Sequence, residues 1–168
     1  MRLSRLLLLY LLITAYQSLY GQQSYPLDYF TSPVEIPISL SGSFAELRSN
    51  HFHSGIDIKT GGEEGLPVFA TAEGTISRIK VSSAGYGKAI YIDHPNGYTT
   101  VYAHLQKFNP ELERWVKAEQ YRLQKSEADF FPARGVLSVG KGDTLAFSGN
   151  SGSSEVPHLH FEIRETKS

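Results

Sequence analysis

Four residues of this chain have the types and spacing of a metal site: His53 and Asp57, flanking Gly55, and His158 and His160 near the C-terminal end. Successive side chains on a β-strand point to opposite faces, so His158 and His160 share one. Two imidazoles side by side on one face are costly as plain core residues and readily explained around a metal. Two His and one Asp, with a fourth position left for water, is the ligand count of a catalytic zinc site. A structural zinc is more often closed by cysteines, and the chain has none. His104 closes the β-rich run Tyr98–Leu105 and is the natural fifth member of the group. His51 reads as a neighbour rather than a ligand, and His94, ahead of Pro95, as structural.

The elements that must position these groups are read as short strands. The expected runs are 55–59, 67–71, 75–81, 89–93, 98–105, 144–148 and 158–164, of which 75–81 alternates imperfectly (Ile76, Ile79, Val81). Asn96-Gly97 is a strong hairpin signal between two of them. Fifteen glycines and ten tyrosines fit a β domain with tight turns. The expected fold is therefore all-β, a mainly antiparallel, barrel-sandwich-like groove domain, with one exception. Asn109-Pro110 is a helix N-cap followed by proline at the first helical position. Residues 111 to about 126 then place Leu112, Trp115 and Val116 on one helical face. Residues 106–134 thus read as a partly helical insertion, serving either as packing against the barrel or as a wall of the groove.

Composition bounds the rest. A chain of 168 residues supports one ordinary domain. A net charge of −1 and a pI near 6.6 argue against nucleic acid or an anionic membrane as a partner. The lack of cysteine excludes disulfides, a thiol nucleophile and a lipid-modified cysteine. Residues 1–21 read as a signal peptide, with Arg2 and Arg5 before an apolar core, Leu6 to Ile13, too short to span a bilayer. The expectation is export to the periplasm, cell envelope or exterior, with no stable membrane insertion after signal removal. Residues 22–43, punctuated by Pro26, Pro33 and Pro37, read as an extended lead-in to a domain over 44–168.

The run Phe44-Ala-Glu-Leu-Arg-Ser-Asn-His-Phe-His-Ser-Gly-Ile-Asp57, with Gly85-Tyr-Gly87, Tyr102-Ala-His-Leu105 and Pro157-His-Leu-His-Phe-Glu162, resembles the lysostaphin/LytM-type zinc endopeptidases. The form of the first block is similar to a subgroup found in Bacteroidetes-type bacteria. The resemblance implies His53, Asp57 and His160 as ligands of one zinc ion. It implies His158 as general base, and His104 as its partner at the oxyanion and the water. It also implies the peptide part of peptidoglycan as substrate, cleaved in stem peptides or cross-links. Zinc and its positive field are expected to hold the pKa of His158 down. Tyr86 and Tyr102 are candidate groove residues, against the plainer reading that each is packing.

Two departures from the family accompany this. Val156 stands where most relatives have glycine and is expected to narrow the groove or reshape the 151–155 loop. The chain also stops soon after its last histidine strand, where relatives continue. Rival readings are a non-catalytic wall-binding activator of other hydrolases, a biotinyl-type carrier module, and a zinc D-Ala-D-Ala carboxypeptidase. All five family positions are filled, which disfavours the first. The carrier would need no histidine cluster, and the carboxypeptidase would lack the paired His-Leu-His.

Overall fold

A computed structural model describes residues 27–49 and 51–166. The signal-peptide reading falls on residues 1–21, outside that range. The chain divides into two compact units, 1–30 and 31–168, and all the strands named here belong to the second. They are β1 (Leu40–Gly42), β2 (Ile56–Lys59), β3 (Pro67–Phe69), β4 (Gly74–Val81), β5 (Lys88–Asp93), β6 (Tyr98–Phe108), β7 (Ala128–Phe130), β8 (Ser138–Val139), β9 (Thr144–Ser148) and β10 (His158–Glu165). The helix α1 spans Pro110–Leu123. Every pairing is antiparallel, in the order β1-β2-β10-β6-β5-β4-β7, with β8 beside β4 and β9 joining β3 to β6. The fold is all-β with one helix, as the sequence leads one to expect.

Alternation divides the sheet into two faces. Ile58, Ile90, Ile92, Tyr102, Leu159 and Phe161 point into the main apolar core, which also takes Leu112 and Val116 of α1. Ala89, Tyr91, Val101 and Ala103 form a smaller cluster with Tyr86. The uneven spacing of Ile76 and Ile79 has a local cause. A register shift between Ile76 and Arg78 sets an extra residue of β4 against β5, so both isoleucines, three apart, are fully buried.

The insertion resolves in favour of packing. Asn109 caps α1 by accepting from the Leu112 amide at 2.8 Å, and Gln124 closes it in the left-handed region. Trp115 meets Phe130 edge to face, and none of residues 106–134 lines the groove described below. Residues 31–42, part of the expected lead-in, lie against the sheet. Val34 is in the core, the Pro33 carbonyl accepts from Phe69, and β1 pairs with β2. Among the described residues no helix is long and apolar enough to cross a membrane.

Ala45 lies at φ 63°, while its amide donates to the His53 carbonyl at 2.8 Å. A Cβ in the left-handed region costs roughly 1–2 kcal/mol, partly offset by the extra entropy a glycine loses on folding. Ala45→Gly is therefore expected to stabilise the domain by about 1 kcal/mol and raise its melting temperature by a few degrees. Thermal unfolding followed by circular dichroism checks this, and an unchanged or lowered midpoint contradicts it.

Candidate metal and catalytic site

The β2–β10 ladder builds the site. His160 stands opposite Asp57 and His158 opposite Lys59, which puts all four on the face away from Ile58 and Leu159. His53 enters from a hairpin in which its amide and carbonyl bond Glu46 and Ala45. Gly55 lets that hairpin reach the strand, because a Cβ there would lie 2.4 Å from the Phe161 carbonyl oxygen and 3.0 Å from His160 Nε2.

Three atoms converge. His53 Nε2 lies 3.0 Å from His160 Nδ1 and 3.1 Å from Asp57 Oδ1, and His160 Nδ1 lies 3.0 Å from the same oxygen. Tetrahedral zinc with bonds of about 2.0–2.1 Å separates its donors by roughly 3.3 Å. The triangle is of that size, and the three residues form a cluster that could hold a metal ion. The remaining ring nitrogens are engaged elsewhere. His53 Nδ1–H donates to the Ser43 carbonyl at 2.8 Å and His160 Nε2–H to Glu162 Oε1 at 2.9 Å. These contacts fix the tautomers, leaving the converging nitrogens as lone pairs, the outer-sphere arrangement typical of metal-binding histidines.

His158 and His104 flank the triangle with ring centroids 4.8 Å apart. His158 Nδ1–H donates to the Val156 carbonyl at 2.8 Å, and its Nε2 lies 3.4 Å from Asp57 Oδ1. His104 Nδ1–H donates to the Ser151 carbonyl at 2.8 Å. His104 itself lies at φ 58°, where β6 carries two residues against one of β5. The bulge turns His104 out of the strand's alternation toward the site. Ser151 is pinned in turn: its hydroxyl donates to the Leu105 carbonyl and accepts from the Lys88 amide, and a Cβ on Gly87 would meet that hydroxyl at 2.3 Å.

Around this floor runs a groove of about 1050 Å³, lined by Arg48, His51, Lys59, Tyr86, Glu155 and Val156 among others. His51 lies outside the ligand cluster. His94 is buried on the core side, bonded to the Glu73 carbonyl and Thr100. Of the two tyrosines considered, Tyr86 lines the groove, whereas Tyr102 is fully buried with its hydroxyl on Thr71. Val156 is not among the non-glycine residues of positive φ, so its position does not demand glycine. Its side chain is exposed and its carbonyl orients His158.

Sequence reasoning gave no role to two charged partners. Arg48 bonds Asp57 Oδ2 at 2.9 Å and Glu46 at 3.1 Å, so the second carboxylate oxygen is taken. Glu162 is buried and accepts from His160, from Ser54 at 2.8 Å and from Tyr86 at 2.5 Å, and it pairs with Arg164. The alternation that puts His158 and His160 on one face puts Glu162 there too, so Glu162 was legible. Nothing in its spacing marks Arg48.

The electrostatics follow. Burial opposes the Asp57 carboxylate, but without a metal His158 and His160 donate to it in their protonated forms and hold its pKa far below the usual range. Burial likewise opposes the Glu162 charge, and bonds from His160, Tyr86 and Ser54 bring it down to about 2. Burial drives His104 down to about 4, so it is neutral at neutral pH. For His158 burial favours the neutral ring, yet the Asp57 hydrogen bond outweighs it and raises the pKa. That is opposite to the shift expected with zinc present, which depends on the cation's charge.

Glu162→Ala strands the His160, Tyr86 and Ser54 donors and should cost about 2–4 kcal/mol in urea unfolding. A glutamate of lowered pKa contributes stability above its unfolded value of about 4.3 and loses it as pH falls toward the folded value. The gap between wild type and Glu162→Ala should therefore shrink below pH about 4. His104 runs the same way in a higher window. The unfolded state binds its proton first, so His104 contributes stability that is lost as pH falls from about 6.5. A wild-type minus His104→Gln stability difference that stays constant over that window contradicts the assignment.

Residues 51–121 match the sequence model of Peptidase family M23. The chain is 35% identical over 118 residues, 70% of its length, to the DD-carboxypeptidase/endopeptidase Mpg of Neisseria meningitidis serogroup B, of which it spans 21%. It is 31% identical over 103 residues to the lipoprotein NlpD of Yersinia enterocolitica, a match covering 61% of this chain and 81% of that one. A zinc-containing peptidase from Vibrio cholerae shares the fold, with a TM-score of 0.60 over 82% of this chain and 37% of that chain at 23% identity. The chain spans about a fifth of the length of the first curated relatives it matches (18% and 21%). The histidine and aspartate blocks, the antiparallel sheet that carries them and these likenesses agree: the chain belongs to peptidase family M23, the lysostaphin/LytM family.

Proposed function

We propose that this chain is an exported, zinc-dependent endopeptidase that hydrolyses peptide bonds in peptidoglycan stem peptides or cross-links. The observation that carries the reading is the donor triangle of His53 Nε2, Asp57 Oδ1 and His160 Nδ1, at the floor of a groove into which two further imidazoles face. Two neutral nitrogens and one carboxylate oxygen, their other polar atoms engaged, suit a zinc ion that leaves a coordination position open. A wall-binding activator has no use for all five groups, and their joint presence favours the enzyme. Membership in a family with cell-wall relatives supports peptidoglycan as substrate and the envelope, periplasm or exterior as the place of action.

When bound, zinc supplies a Lewis acid that polarises a carbonyl and acidifies water. The chain's own residues do the rest. Arg48 holds Asp57 Oδ2, so a single oxygen is offered to the metal. His158, with Nδ1–H on the Val156 carbonyl, presents Nε2 as a lone pair when neutral. It takes a proton from the attacking water as the water oxygen bonds the carbonyl carbon. It then passes that proton to the amine as the C–N bond breaks, a role worth about a hundred- to ten-thousand-fold. His104 donates its one N–H to Ser151, so its neutral Nε2 can only accept. Of the two tasks expected of it, this geometry supports holding the water; an oxyanion would need a protonated ring.

Single alanine variants of His53, Asp57 and His160 are expected to lose zinc, while His158→Ala and His104→Ala keep it and lose most hydrolysis of purified peptidoglycan. Elemental analysis alongside turnover checks both. Full zinc in all three ligand variants overturns the ligand set. Loss of zinc in His158→Ala with retention in His160→Ala exchanges their roles. Hydrolysis should rise through mildly acidic pH as His158 deprotonates, vanish with a chelator and return with added zinc. Undiminished activity after the metal is stripped rules the mechanism out.

A further inference from the structure

The ladder that pairs β2 with β10 places one more functional group beside the site. Lys59 is the register partner of His158 and lies two residues from Asp57, so its side chain leaves the sheet on the same face. Facing Cβ atoms on such a rung are about 4.5–5.5 Å apart. Lys59 lines the groove and is exposed. Its backbone is fixed, because its amide donates to the Ser39 carbonyl and the next residue, Thr60, is bonded to the Glu63 and Pro157 carbonyls.

The charge itself is uncommitted. Arg48, the other long cation of the groove, is spent on Asp57 and Glu46, whereas among the described residues Lys59 makes no ion pair. Glu155 lines the same groove without approaching it to salt-bridge distance among those residues. Gly61 and Gly62, next in the chain, also line the groove and have no atom within 4 Å of where a Cβ would stand, so the chain beside Lys59 is open. A fixed base carrying a free cation, next to the proton-transferring imidazole and open to the groove, is a built position for a substrate anion.

We propose that Lys59 is a specificity residue: it binds a carboxylate on the substrate residue that flanks the scissile amide. The inference rests on the peptidase reading for its substrate, and selects acidic peptides over neutral ones. Arg48 differs in that its charge already faces two carboxylates, Asp57 and Glu46.

The probes are synthetic peptides in pairs, each identical except for a free side-chain carboxylate or its carboxamide on one residue next to the scissile bond, on either side in separate pairs. Their binding is measured by calorimetry to zinc-loaded His158→Ala protein, so that no turnover intervenes, with Lys59 intact and as Lys59→Met or Lys59→Arg. With Lys59 intact, the carboxylate peptide of one pair should bind about three- to tenfold tighter than its carboxamide. Lys59→Met should erase that preference without weakening the carboxamide, and Lys59→Arg should restore most of it. A preference that survives Lys59→Met, or equal weakening of both peptides, overturns the proposal, as does no preference in any pair with Lys59 intact. The same peptides given to His158-intact protein test the underlying reading separately: a Lys59-dependent preference without hydrolysis leaves the subsite standing and removes the peptidase.

Discussion

Asp57 and His160 face each other across a single antiparallel rung, and the site is organised around the register of that rung. Side-chain direction in a strand has a period of two, so slipping β2 against β10 by one residue would turn Asp57 toward the core and Ile58 toward the groove. The fold guards against this from both sides. Ile58, Leu159 and Phe161 occupy the apolar face of the same two strands, and β10 pairs with β2 over 158–161 and with β6 over 160–165, so that His160 and Phe161 are paired on both sides. The apolar face thus sets the position of the polar one. Burial enforces the register, and the register delivers the donor atoms to one point.

The second constraint is charge. One carboxylate, Asp57, is drawn on by three imidazoles and a guanidinium, and a second, Glu162, by an imidazole, a phenol, a hydroxyl and another guanidinium. Both acids lie at the floor or just beneath it, where desolvation would otherwise protonate them. Their partners outweigh that penalty and keep them ionised. The two acids act at different distances. Asp57 offers an oxygen to the cluster, whereas Glu162 orients His160 from behind and ties it to Tyr86 and Ser54.

What the sequence revealed and what it concealed divide along physical lines. Paired histidines two apart, an Asn-Gly turn and an Asn-Pro helix start are local signals, and each corresponds to an element where it was expected. The strands β1, β7 and β8 have two or three residues each, too few to show a period. The bulge in β4 disguised an ordinary inward face as a faulty alternation. At the site, the imidazoles were legible as side chains, while the acceptors that orient them were not. The carbonyls of Ser43, Ser151 and Val156 belong to the backbone, which every residue shares, and only folding brings them to the rings. His104 was found by type and run position, but its outward turn depends on a left-handed φ that no residue type announces.

The placement of β10 between two neighbours divides the molecule by mobility as well as by chemistry. Its amides and those of the adjoining part of β6 lie in paired interior strands, and such protons exchange with solvent only through large openings. The 151–157 loop instead forms one wall of the groove, fastened at a few side-chain and backbone contacts. His158 stands at the junction, its ring oriented by a carbonyl of that loop and its backbone rooted in β10. Loop fluctuations can therefore reach the orientation of the proton-transferring ring without disturbing the donor triangle two residues further along the strand. Strand pairing beneath the metal position and loop backbone beside the base thus give the two halves of the site different routes to local opening.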